Sequence, residues 1–297
     1  MQTVLSVNSL IKDFGKIHAV RDITFSVKAG QVFGMLGPNG SGKTTTLGML
    51  MGVVNPTAGS FSWFGEEPSH QVRKKIGAVL EHPIFYPYLS GQKNLELNAM
   101  IKQCPVENIP HVLELVELTH RKDHKYKTYS LGMKQRLAIA SALLNDPTVL
   151  TLDEPTNGLD PMGIAEIRDI IRKIAANGKT IILASHLLDE VQKVCTDFAI
   201  LQQGKLIHTG PITDVGKGSE TIEVNADAAN LNELLLSFPG TSSIDRQNDL
   251  YQVTLRDGFS VQDINKFLFS NQVVASHLAT KKKNLEQQFI EILKSNK

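Results

Sequence analysis

Gly37-Pro38-Asn39-Gly40-Ser41-Gly42-Lys43-Thr44 lies between two apolar runs, and its reading decides the fold. The octet fits G-x-x-x-x-G-K-[ST], a pattern that cradles phosphate when a strand leads in and a helix leads out. Both flanks are present. Gln31-Val32-Phe33-Gly34-Met35-Leu36 reads as a short buried strand, and Thr45-Thr46-Leu47-Gly48-Met49-Leu50-Met51 as an apolar helix. A Gly-rich turn that matched by accident would have no reason to carry them. The residue types follow from the charge of a nucleotide's phosphates, which many donors must meet at close range. Glycines at 37, 40 and 42 let the backbone curl until successive N–H groups point inward. The helix that starts near Ser41 adds the positive end of its dipole. Lys43 reaches the β- and γ-phosphates, and the Thr44 hydroxyl is a Mg²⁺ ligand. Pro38, Asn39, Ser41 and Thr45 complete the nucleotide-binding stretch.

Phosphoryl chemistry also needs a metal ligand and a group that activates water. The apolar run Val149-Leu150-Thr151-Leu152 ends in Asp153-Glu154-Pro155. Two adjacent carboxylates at the carboxyl end of a parallel strand stand where such sheets bind ligands. Asp153 is assigned to Mg²⁺ through water and Glu154 to the general base. Alone, the pair would read as an ordinary strand-end turn; the phosphate loop upstream changes that balance. His186 follows the run Thr180–Ala184 at the same sheet edge. A lone histidine is usually structural or solvated, but this position suits a γ-phosphate sensor. Phe14, beside Gly15, is open to two readings: a minor core residue, or a platform on which adenine stacks.

The 297 residues carry 31 Lys and Arg against 30 Asp and Glu, a net charge of +1 that gives no reason to expect nucleic acid on a broad face. Cys104 and Cys195 are too few and too far apart for a disulfide framework or a metal cluster, and they suit a reducing compartment. No apolar run approaches the roughly 20 residues that span a bilayer. The first residues show no basic segment followed by an apolar core. The expected place is the cytoplasm, with any membrane role coming through a partner.

Strand and helix signals alternate through residues 1–215. Leu5–Val7 and Ile23–Val27 alternate like half-exposed antiparallel strands, with Asp13–Lys16 as a loop between them. Gly59–Gly65 and Ile76–Leu80 are further strands. Residues 88–145 change character to three helical patterns, an insertion in an α/β sheet. A helix over Gly163–Ala176 and strands at Thr180–Ala184 and Phe198–Leu201 then resume a mostly parallel sheet. Glycines and a proline around His208–Ser219 mark a boundary. Residues 216–297 form a small α+β module, with strands at Thr221–Val224, Leu250–Leu255 and Val273–His277. Its helices are expected at Leu231–Phe238, Val261–Phe269 and Leu285–Leu293. Lys281-Lys282-Lys283 reads as a solvated face. The fold class is an α/β P-loop NTPase core with a mostly parallel sheet, an antiparallel β region and a helical insertion, followed by the α+β module.

Five stretches occur in the order of one family: the phosphate loop, Tyr129-Ser130-Leu131-Gly132-Met133-Lys134-Gln135-Arg136, Asp153-Glu154-Pro155, Asn157-Gly158-Leu159-Asp160, and Ser185-His186. Over residues 1–215 the chain resembles the nucleotide-binding subunit of an ABC (ATP-binding cassette) transporter. The resemblance implies that Phe14 stacks on adenine and that His186 contacts the γ-phosphate. It implies that Ser130 and Gly132 face the γ-phosphate held by an opposite subunit. Asp160 then lies in a loop joining the two sites, and ATP is sandwiched between two subunits, a homodimer being the simplest case. Two departures stand out. Leu131 and Met133 replace a glycine and a glutamine of the usual signature. Glu81 replaces the glutamine that links Mg²⁺ to the membrane subunit; a carboxylate is a stronger hard-cation ligand, so Glu81 can still contact Mg²⁺, the alternative being a metal shell rebuilt from water. Both departures, and the trailing module, resemble ABC-2-type cassettes, including bacitracin and lantibiotic exporters.

The expectation is therefore an ATPase on the cytoplasmic face of the membrane that powers a separate permease, an exporter. The loop Glu81–Tyr88 and the helical insertion would receive the permease, with Phe85, Tyr86 and Tyr88 as interface anchors or as core. One rival is a soluble ABC ATPase of translation or DNA maintenance, disfavoured by the single phosphate loop and the lack of a heptad arm or basic face. Another is a non-catalytic nucleotide sensor, disfavoured by the intact Asp153-Glu154 pair.

Overall fold

The computed structural model describes residues 2–80, 84–214, 221–247, 250–256 and 258–281. The chain divides into two compact units, Met1–Ile212 and Thr213–Lys297.

In the first unit a long hairpin, β1 (Thr3–Phe14) and β2 (Ile17–Lys28), precedes β3 (Val32–Leu36) and α1 (Lys43–Leu50). Then come β4 (Ala58–Trp63), α2 (His70–Lys74) and β5 (Ile76–Val79). The helical insertion holds α3 (Gly91–Lys102), α4 (Ile109–Leu115) and α5 (Leu131–Leu143). The alternation closes with β6 (Val149–Asp153), α6 (Pro161–Ala176), β7 (Thr180–Ser185), α7 (Leu188–Val194), β8 (Asp197–Gln202) and β9 (Lys205–Pro211).

Two sheets result. Six strands run in the order β5-β6-β7-β3-β8-β9, parallel except for the last pair. Strands β3, β6 and β7 are buried along their whole length, as expected for parallel strands covered on both faces. The second sheet, β2-β1-β4, is antiparallel and alternates buried with exposed residues over Ile23–Lys28. The stacked rings of Phe25 and Phe33, 5.4 Å apart, join the two sheets, and Trp63 Nε1 donates to the Leu50 carbonyl at 3.1 Å. Trp63 is fully buried, which contributes on the order of 2–3 kcal/mol. Because β6 and β7 flank each other and β3 lies next to β7, the carboxyl ends of these three strands come together at one edge.

One expectation needs correction here. Phe14 is not in a loop but is the last residue of β1, paired with Ile17. Residues 205–211 pair with β8 as an antiparallel edge strand, and the first unit ends at Ile212. Gly210-Pro211 reads as a breaker, yet at a sheet edge a proline costs no ladder bond.

In the second unit β10 (Thr221–Ala226), α8 (Leu231–Ser237), β11 (Thr241–Gln247), β12 (Leu250–Leu255), α9 (Val261–Ser270) and β13 (Ala275–Lys281) form an antiparallel sheet in the order β11-β12-β10-β13. This is a split β-α-β arrangement. Ile222, Val224, Leu235, Val253, Leu255, Ile264 and Leu268 make its core. Strand β11 was not anticipated, and β13 begins two residues later than expected. Glu81, residues 282–283 and the helix expected over 285–293 lie outside the described residues.

Candidate active site

The loop between β3 and α1 is shaped by close backbone contacts. Gly40 and Gly42 have φ of 77° and 102°. A Cβ on Gly37 would lie 2.3 Å from the Leu201 carbonyl oxygen, and one on Gly42 2.6 Å from that of Ala19. The β8–β9 turn supports the loop: Gly204 N donates to the Ser41 carbonyl at 3.1 Å, and Arg21 N to the Gly204 carbonyl at 2.7 Å. Lys43 is only 5% exposed; its Nζ donates to the carbonyls of Gly37 at 2.8 Å and Pro38 at 3.3 Å. The Ser41 hydroxyl is buried in this loop without a hydrogen-bond partner. Asn39 to Thr45, with Phe14, Glu154 and Gln203, line a cavity of about 530 Å³.

β6 delivers Asp153, nearly buried, as its last residue. Glu154 follows with φ of 46°, in the left-handed region. That conformation costs a non-glycine residue about 1–2 kcal/mol and persists only where its surroundings enforce it. The enforcement is visible. Glu154 N donates to the Ala184 carbonyl of β7 at 2.9 Å. Lys43 Nζ lies 3.3 Å from Glu154 Oε1, and His186 Nδ1 lies 2.8 Å from Oε2. One carboxylate is thus held between the phosphate-loop cation and the imidazole, close to Thr44 and the cavity. Charge-assisted contacts of this kind fix orientation as well as charge.

Phe14, 49% exposed, stands at the rim of the same cavity, and Lys12 Nζ sits 4.8 Å from its ring centre.

Ser130 and Gly132 are elsewhere, in a cavity of about 430 Å³ lined also by Gly158, Leu159, Asp160 and Met162. Ser130 caps α5, its hydroxyl accepting from Met133 N at 3.2 Å. Asp160 caps α6 in the same way, Oδ1 accepting from Gly163 N at 2.8 Å. No residue lines both cavities.

Residues 20–157 match the ABC transporter family. The ATP-binding protein YhcH of Bacillus subtilis is 47% identical over 219 residues, 72% of each chain. The chain belongs to the ATP-binding subunits of ABC transporters. The bacitracin transport ATP-binding protein BcrA of Bacillus licheniformis is 41% identical over 222 residues, 73% of this chain and 72% of its own. Among solved structures, the dimeric bacterial ABC transporter cassette MJ0796 superimposes with a TM-score of 0.64 at 25% identity, over 70% of this chain and 98% of that one. This ABC subunit is an ATPase, and its hydrolysis powers a separate membrane permease.

Of the residues singled out in the ABC subunit's sequence, Phe14, Asn39 to Thr45 and Glu154 share one cavity, and Lys43, Glu154 and His186 are in direct contact. Gly37 and Pro38 join them through their carbonyls. Ser130, Gly132 and Asp160 form the second group. Glu81 lies outside the described residues. Sequence reading missed Gln203 at the cavity wall, a turn residue with φ of 49°, for which Gln203-Gly204 between two apolar runs was the available signal. It also missed Glu190, buried on α7 and accepting a hydrogen bond from the Thr156 hydroxyl.

Proposed function

We propose that the chain binds Mg-ATP at the phosphate loop, hydrolyses it between two head-to-tail copies, and drives an exporter of the ABC-2 type. The observation that carries this reading is the Glu154 carboxylate held between Lys43 and His186 at the mouth of the loop. A nucleotide fits the residues present. The cavity has the size of a cofactor site. The buried Ser41 hydroxyl has an unmet hydrogen-bonding capacity that a phosphate oxygen would meet. Backbone N–H groups of the loop and Lys43 take the phosphates, and Phe14 takes the adenine. Thr44 and Asp153 offer the oxygen donors a hard cation prefers, and would hold Mg²⁺. When bound, that ion neutralises charge on the β- and γ-oxygens.

Glu154 Oε1 or Oε2 accepts the proton of the attacking water. His186 keeps the carboxylate oriented and stands where the γ-phosphate is sensed. The Ser130 and Gly132 cavity has helix-start donors and shares no lining with this subunit's phosphate loop, which suits an anion brought by a second copy. The dimeric cassette among the structural relatives supports that arrangement, and the bacitracin relative supports export.

Permease docking is supported by exposed apolar side chains on the loop after β5 and on α3: Ile84, Tyr86, Tyr88, Met100 and Ile101. Phe85 instead packs on Tyr126, ring centres 5.2 Å apart. Placement on the cytoplasmic face follows from this partnership. No described helix is long and apolar enough to cross a membrane. Isolation of the tagged chain from native membranes tests the reading. A multi-spanning protein is expected to come with it; ribosomes or DNA in its place would overturn it.

A further inference from the structure

The Glu154 backbone is strained; its N–H is tied to β7, and its carboxylate to Lys43 and His186. One more link joins this region to the helix beyond His186. Thr156, two residues after Glu154 and 5% exposed, donates its hydroxyl hydrogen to Glu190 Oε2 on α7. Glu190 is itself 5% exposed, and its Oε1 has no hydrogen-bond partner. Burial pushes its carboxyl above the usual range, against the pull of the Thr156 hydroxyl and Arg168. A buried acid with one idle oxygen is an expensive way to satisfy a single hydroxyl, because desolvation of the carboxylate is not repaid by one bond. Its position gives it a use. Between Glu154 and Asp160 the chain turns on itself, Asn157 N donating to the Glu154 carbonyl at 3.1 Å and Leu159 N to that of Thr156 at 3.1 Å. Thr156 is therefore the pivot of the segment that joins the base to the Asp160 cap.

We propose that Glu190 is a positioning residue for ATP hydrolysis: through Thr156 it fixes the turn on which the general base Glu154 stands. The inference rests on the assignment of Glu154 made above. Misplacement of a reacting group by about 1 Å can cost roughly a hundredfold in rate. Loss of the Thr156–Glu190 bond should therefore lower turnover without touching the phosphate loop.

The test is steady-state ATP hydrolysis by the full chain, with ATP binding and thermal unfolding measured on the same samples. Thr156→Val and Glu190→Ala are expected to lower kcat by about ten- to a hundredfold with KM changed by no more than about twofold. Thr156→Ser and Glu190→Gln, which keep the bond, are expected to stay near wild type. The double variant Thr156→Val/Glu190→Leu removes both members of the hydrogen bond and refills the space of the glutamate, and should recover part of the stability lost in Glu190→Ala, since the Thr156 hydroxyl is no longer left without its acceptor, while kcat stays low. If kcat instead rises with stability in the double variant, or if Thr156→Val turns over normally, Glu190 is only structural and the proposal fails. Glu154→Gln is the control for the base itself: normal turnover there would sink the base assignment whatever the Glu190 series shows.

Discussion

Two cavities of the first unit, one at the phosphate loop and one at Ser130 and Gly132, differ in what their polar groups are doing. Around the phosphate loop, ionisable side chains touch one another: Lys43 to Glu154, Glu154 to His186. Around Ser130 and Gly132 the polar side chains are spent on helix ends, Ser130 capping α5 and Asp160 capping α6, while Arg136 pairs with Glu166 at 3.5 Å. Leu131 and Met162 stand exposed beside them, 47% and 73%. The first cavity joins a cation, a carboxylate and an imidazole at the phosphate loop; the second has capped helix starts, the Arg136–Glu166 pair and uncovered apolar surface. On the proposed reading, the contrast is that of a half-site that holds the base and a half-site that lacks one, each to be completed by the other half from a second copy.

The largest expected effect breaks the first half. Glu154→Gln keeps the shape but removes the proposed proton acceptor, and turnover should fall by at least about a hundredfold, as for loss of a general base. ATP binding should survive, and a dimer should accumulate in ATP, visible by light scattering. Normal turnover would leave the contrast without meaning. The second half is broken by Gly132→Asp. A Cβ there would meet only Leu159 Cδ2, at 3.9 Å, so the variant should fold. A negative charge where a phosphate arrives should cut turnover by about ten- to a hundredfold while ATP binding and unfolding temperature stay unchanged, a like charge disfavouring the bound anion. Mixing it with Lys43→Ala should restore activity, because one site in the mixed dimer has an intact loop from one copy and an intact Ser130–Gly132 cavity from the other. Failure of the mixture to regain turnover would mean that both halves act within one chain.

What sequence could tell follows the same division. Runs such as Val149–Leu152 and Thr180–Ala184 announce buried strands because both their faces must be apolar, and the groups at their ends are then fixed by the sheet. That is why Lys43, Asp153, Glu154 and His186 were legible. Strand β11 was not: Thr241-Ser242-Ser243-Ile244-Asp245-Arg246-Gln247 pairs on one side only, so its composition carries almost no pattern. Glu190 in Leu188-Asp189-Glu190 looks like an acid in the first turn of a surface helix, a placement the dipole alone would explain. Its burial depends on how α7 packs against the turn after β6, a long-range contact that no local periodicity encodes. The left-handed Glu154 is of the same kind, since a strand-end glutamate gives no sign of a positive φ.

A smaller effect sharpens the reading of the phosphate-loop cavity. Phe14→Ala should weaken ATP binding by about 1–3 kcal/mol, the contribution of base stacking on an aromatic face, with kcat unchanged once the site is saturated. Binding measured with ATP and with inorganic triphosphate separates the possibilities. A loss seen with ATP alone places the ring under the base; an equal loss with both would make Phe14 a support of the loop.

The smallest effect asks whether Asp160 is only a cap. Asp160→Ala removes the acceptor for Gly163 N and should cost about 1 kcal/mol, the ordinary value of an N-cap, or about 2–4 °C in unfolding temperature for a unit of this size. Asp160→Asn keeps the cap, since an asparagine oxygen accepts the same bond, and should unfold near the wild-type temperature. The two variants therefore separate stability from assembly. If the charge of Asp160 serves the contact between two copies, Asp160→Asn stays stable yet loses turnover and ATP-dependent dimer. If it hydrolyses ATP like the wild type, the Asp160 carboxylate is a helix cap and nothing more, and the second half-site rests on Ser130 and Gly132 alone.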